Sequence, residues 1–194
     1  MKKITLLFIF ATIFNLAASA QAVSSKEKRF LKWFFTENLK IKDKKIYYLD
    51  QNHIGFAEEL KKSFDKDTLR GFKFNTLVNE IVYTKKEKVF VLNEIEKIKK
   101  QTLPDHILPF AKSISQDSLN QLFKGINKGW ENMYEKGIRG YYQFHKPIFF
   151  RNGTFCIFQY GYSCGFLCGY GSTSVYKKTE KGWEEFIEFS NWVS

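Results

Sequence analysis

Proline, histidine and cysteine are scarce in this chain, with 3 of each among 194 residues. That scarcity leaves little material for metal or thiol chemistry. No His-Glu-x-x-His zinc helix, no phosphate-cradling glycine loop and no calcium loop occurs, and a nucleophile elbow is not expected. The histidines, His53, His106 and His145, have no partner at a meaningful spacing. Adjacent carboxylates such as Glu58-Glu59 and Glu184-Glu185 diverge on a helix or strand and read as surface charge. No catalytic constellation, metal or cofactor is therefore expected.

A long apolar run is also missing. The one candidate, residues 4–16, is interrupted by Thr5, Thr12 and Asn15 and falls short of the roughly 20 residues needed to span a bilayer. Lys2 and Lys3 precede it, and small residues follow at Ala18, Ala20 and Ala22. This is the layout of a secretory signal peptide over residues 1–20, cleaved after Ala20 or Ala22. No cysteine stands at the cleavage region, so the lipid-modified form is excluded. The expected product is a soluble protein, residues 21–194, exported to the periplasm or the cell exterior.

What the chain does have is aromatic mass and positive charge. Aromatics make up 18% of it, including 21 Phe and 10 Tyr, enough apolar area for the core of one domain. Without Lys2 and Lys3 it carries 29 basic and 20 acidic residues, a net charge near +9. The excess lies in the N-terminal half, where residues 26–100 hold 19 basic and 12 acidic residues. Such a surface attracts anionic lipid or polysaccharide. Lys alternates there with Glu and Asp, however, as on a solvated helix face, and an exported protein is not expected to meet nucleic acid.

Helical spacing dominates the first two-thirds. Ser24-x-x-Glu27 has the form of a capping box ahead of Phe30, Leu31, Phe34 and Phe35, which predicts a helix over 25–39. Residues 46–49 read as a short strand, and Asn52 can cap a helix carrying Ile54, Ala57, Leu60 and Phe64. The stretch 69–83 fits strand and helix equally. Thr84-x-x-Glu87 is a second capping box, opening a helix over 85–101 with Val91, Ile95 and Ile98 on one face. Pro104 and Pro109 punctuate the chain before Ser115 caps a helix that Gly125 ends, and Trp130, Met133 and Tyr134 suggest one more.

After Gly140 the period changes to two. Strands are expected at 144–150, 154–162, 172–178 and 183–189, with turns at Arg151-Asn152-Gly153 and 179–182 and a glycine-rich loop between the middle two. The expected fold is α+β: helical for the N-terminal two-thirds, to about residue 137, then a four-stranded antiparallel β-meander. Asn152-Gly153-Thr154 matches a glycosylation sequon but is read as the turn.

The glycine-rich loop holds the one unusual motif, Gly161-Tyr162-Ser163-Cys164-Gly165-Phe166-Leu167-Cys168-Gly169-Tyr170-Gly171. In an oxidising compartment Cys164 and Cys168 can form a disulfide if their Cα atoms approach to about 5.5 Å. That is the preferred reading. A catalytic dithiol is disfavoured by the spacing and by the lack of a helix N-terminus to activate a thiol. Metal binding would need Cys156 and His145 as further ligands, at no recognised spacing. A Cys-His enzyme also stays open, whereas Cys156 itself reads as buried core.

The segment 144–186 resembles uncharacterised exported proteins of Bacteroidetes-type bacteria. The likeness lies in Lys146-Pro147-Ile148-Phe149, Tyr162-Ser163-Cys164-Gly165, Leu167-Cys168-Gly169, Gly171, Tyr176-Lys177-Lys178 and Gly182-Trp183. It implies export and a hairpin here, and brings no activity. A binding or interaction role is thus expected, with a cysteine-dependent or thiol-redox enzyme and a binder of anionic surfaces as alternatives.

Overall fold

The computed structural model describes residues 23–41, 45–51, 54–73, 76–124 and 128–194. The signal region with Ala18, Ala20 and Ala22 lies outside them, as do Asn52, His53 and Gly125.

Local signals in the helical half hold. Helix α1, Ser25–Trp33, starts with the reciprocal Ser24/Glu27 capping box and runs into a π-helical turn, Phe34–Asn38. Phe34 and Phe35 in that turn are both fully buried, as are Phe30 and Leu31 in the helix before it. Helix α2 spans Ile54–Phe64, and α3, Lys85–Ile98, opens on the Thr84/Glu87 box. Short helices α4, Gln116–Leu122, and α5, Gly129–Glu135, follow; Ser115 caps α4 as expected.

The strands overturn the expected architecture. Four of them interleave with the helices: β1, Ile46–Leu49; β2, Thr68–Lys73; β3, Thr76–Val82; and β4, Ala111–Ile114. Five more follow: β5, Tyr141–Phe144; β6, Ile148–Phe150; β7, Phe155–Gly165; β8, Cys168–Thr179; and β9, Gly182–Val193. Seven form one mixed sheet in the order β4-β1-β5-β7-β8-β9, with β6 also paired to β7. The fold is α+β, but it is neither a helical two-thirds nor a four-stranded meander. Strands β1 and β4 pair parallel to each other, and β1 pairs parallel to β5. These partners lie far apart in sequence, so no local pattern announces them. The ambiguous stretch 69–83 resolves into the separate antiparallel hairpin β2–β3.

Pro147 splits the expected first C-terminal strand into β5 and β6, because proline has no N–H to give to a ladder. Between them, the β7 Gln159 N–H donates to the His145 ring at Nε2, 3.2 Å away. The imidazole takes the place of a missing backbone acceptor.

Both faces of the sheet are covered. Phe30, Phe34 and Phe35 press on Tyr48, Phe144, Cys156, Phe158 and Tyr176 on one face. On the other, α2, α3 and β2–β3 supply Leu60, Phe64, Leu69, Ile81, Val91 and Ile95 against Ile148, Ile157, Val175 and Ile187. A third cluster joins α4 and α5 to β1 and β4 through Leu49, Ile114, Leu119 and Met133. The β7–β8 hairpin projects its turn at one end of the sheet.

Candidate functional site

The glycine-rich segment is strand almost throughout. Strands β7 and β8 continue through Tyr162 and Gly169 to a two-residue turn, Phe166-Leu167, closed by the pair Gly165 and Cys168. The period-2 sequences Tyr160-Gly161-Tyr162 and Gly169-Tyr170-Gly171 put tyrosine on one face and glycine on the other. Glycine here seats a neighbour instead of making a loop. The Trp192 indole lies over the strip, and a Cβ added at Gly171 would come within 2.5 Å of its Nε1, one at Gly161 within 3.2 Å of its Cζ2.

On the opposite face the ladder aligns Tyr142, Tyr162 and Tyr170 in one row, with Val193 next on β9. Ring centroids are 4.6 Å apart for Tyr142 and Tyr162, and 5.3 Å for Tyr162 and Tyr170. Burial first, and then the neighbouring phenols, hold the Tyr142 and Tyr162 hydroxyls in the protonated form, with pKa values raised.

Cys164 and Cys168 are joined in a disulfide with Cα atoms 5.1 Å apart. The ladder shifts by one residue between Ser163 and Gly165, leaving Cys164 as the extra residue of a bulge. The Tyr134 hydroxyl, from the last turn of α5, donates to the Cys164 carbonyl, and the Arg139 guanidinium lies 5.5 Å from the Tyr134 ring centre. Two-residue hairpin turns favour Asn, Asp or Gly at positive φ. Here they are Phe and Leu, neither at positive φ, and they are 72% and 87% exposed. Covalent closure does what turn chemistry ordinarily does. Val193 is also exposed and Trp192 partly so, whereas no Asp, Glu, Lys, Arg or His occurs anywhere in 152–176.

The remaining chemical candidates do not converge on this tip. Cys156 is fully buried in the first core cluster, and burial pushes its thiol pKa well up. Eight residues of extended strand, roughly 26 Å, separate it from Cys164. His145 is also fully buried; its Nδ1 lies 2.6 Å from the Lys146 carbonyl and its Nε2 accepts from Gln159, so both nitrogens are engaged. Desolvation lowers its pKa to about 4. His106 is exposed and pairs with Asp105. Among the described residues no group of three or more His, Cys, Asp or Glu could hold a metal.

One motif corrects the sequence reading. Gly161-x-Ser163-x-Gly165 does carry the letters of a nucleophile elbow. An elbow works only at a sharp strand-to-helix turn. Here all five residues belong to β7, and Ser163 hydrogen-bonds Tyr141.

On the lysine-rich surface, Lys61 pairs with Glu96, Lys99 with Glu58 and Glu96, and Lys88 with Asp67. Among the described residues no helix is long and apolar enough to cross a membrane. Comparison with protein-family models, curated proteins and solved structures gave no match.

Proposed function

We propose that the chain is an exported binding protein whose contact element is the β7–β8 tip. The observation that carries this is the exposure of Phe166 and Leu167 on a turn closed by the Cys164–Cys168 disulfide. Large apolar residues at a solvent-facing turn break the local rule for hairpins and leave apolar area in water. Rule-breaking positions that add nothing to the core are where function is sought. Clamping the turn also reduces the ordering cost of association. The N-terminal layout of Lys2, Lys3, the apolar run and Ala18, Ala20 and Ala22 supports export, and an oxidising destination suits the disulfide.

Two measurements test this reading. Mass spectrometry of the natural product is expected to find an N-terminus after Ala20 or Ala22 and one alkylatable thiol, exposed only by denaturant. Binding of the labelled protein to the cell envelope of its producer is expected to weaken at least about tenfold in the double variant Phe166→Ser/Leu167→Ser. Equal binding by the variant sinks the tip as the contact element.

A further inference from the structure

We infer that the tip docks on a phospholipid bilayer surface, with Phe166 and Leu167 entering the boundary between headgroups and acyl chains. The inference rests on the tip being the contact element and names its partner.

The first support is the charge-free hairpin. In a chain with 26% charged residues, none lies in 152–176, and β9 carries none beyond Glu188. Charged side chains are costly to bring into the hydrocarbon, so their absence from the hairpin lowers the cost of insertion. The second is depth. The row of Tyr162, Tyr170 and Val193 lies three residues behind Leu167 along β8, about 10 Å at strand rise, with Trp192 one position further. Interfacial elements insert by about 5–10 Å, and Tyr and Trp settle at headgroup level. The aromatic row therefore stands where the headgroups would be.

Charge is the third support. Arg139 is held against Tyr134, which bonds the Cys164 carbonyl, so a cation sits beside the base of the tip. Lys136 nearby in sequence is offset by its neighbour Glu135, so the local cation is Arg139, while the chain from residue 21 carries about +9 (29 basic less 20 acidic residues), which favours anionic headgroups. Area is the fourth. Phe166, Leu167, Val193 and Trp192 expose on the order of a few hundred Å², against roughly 800 Å² per partner in a stable protein pair. A small blunt knob suits a fluid surface better than a flat protein face.

The test uses the oxidised chain from residue 21 onward and vesicles of phosphatidylcholine, alone or mixed with phosphatidylglycerol. Cosedimentation is expected to be stronger with the mixed vesicles and to persist in about 0.5 M salt, where diffuse attraction is screened to a few ångströms. Phe166→Ser/Leu167→Ser is expected to lower the partition coefficient at least about tenfold with an unchanged melting temperature, since neither residue belongs to the core. Absence of cosedimentation, its complete loss in that salt, or equal partition of the variant overturns the lipid partner. If envelope binding still depends on the tip when vesicles are ignored, the partner is protein or polysaccharide and the contact element stands. If the variant also binds the envelope like the wild type, both readings fall.

Discussion

His145 shows how one side chain can look functional and be structural. Its ring lies between β5 and β6, engaged at both nitrogens and shut from water, so the neutral form is the one that folds. The folded pKa of about 4 lies below the ordinary 6.5, so the unfolded chain takes up a proton that the folded one refuses. Stability is complete above pH 6.5 and falls as pH drops through the window to about 4, by at most about 1.4 kcal/mol per pH unit and about 3 kcal/mol in all. Urea denaturation between pH 7 and 5, above the main carboxylate range, is expected to show this slope in the wild type and not in His145→Gln. A flat wild-type profile contradicts the assignment.

At the scale of elements, the hairpin β7–β8 is specified by three devices of different range. Period-2 alternation makes the strands, the glycine strip admits the Trp192 indole, and the disulfide closes the turn. The ring spans only five residues, so loop entropy limits its contribution to about 2 kcal/mol or less. Cys164→Ser/Cys168→Ser is therefore expected to stay folded, to lose no more than that in chemical denaturation, and to exchange amide hydrogens faster at the tip. Global unfolding of this variant would show that the disulfide supports the core as well. The capping boxes at Ser24 and Thr84 illustrate the opposite case, a feature legible from four residues because both bonds form within one turn.

The whole molecule is organised by the seven-stranded sheet, and Cys156 lies near its centre. Its thiol touches core on the α1 face and is closed to solvent, so alkylation requires the sheet to open. The alkylation rate is expected to follow global stability, slowing or quickening with every core variant but not with Phe166→Ser/Leu167→Ser. A thiol that reacts quickly under native conditions would revive a cysteine-dependent chemistry.

Much of this was legible along the chain. Helices α1 and α3, the short strand β1, the turn at Arg151-Asn152-Gly153 and the pairing of Cys164 with Cys168 follow from neighbours a few residues apart. The sequence reading failed where one residue type serves two purposes. Glycine at 161, 169 and 171 reads as a turn former, yet it is there because Trp192, some 20 to 30 residues away, needs room. Strand β4 is too short to dominate a periodicity, and the parallel partners of β1 have no local signature. By itself the sequence determined the helix starts, the covalent clamp and the basic, aromatic composition, because these depend on short-range bonding and on counting. Only the tertiary structure decided that the strands join one mixed sheet, that His145 and Cys156 are sealed inside it, and that Phe166 and Leu167 are left outside, because burial depends on which distant segments meet.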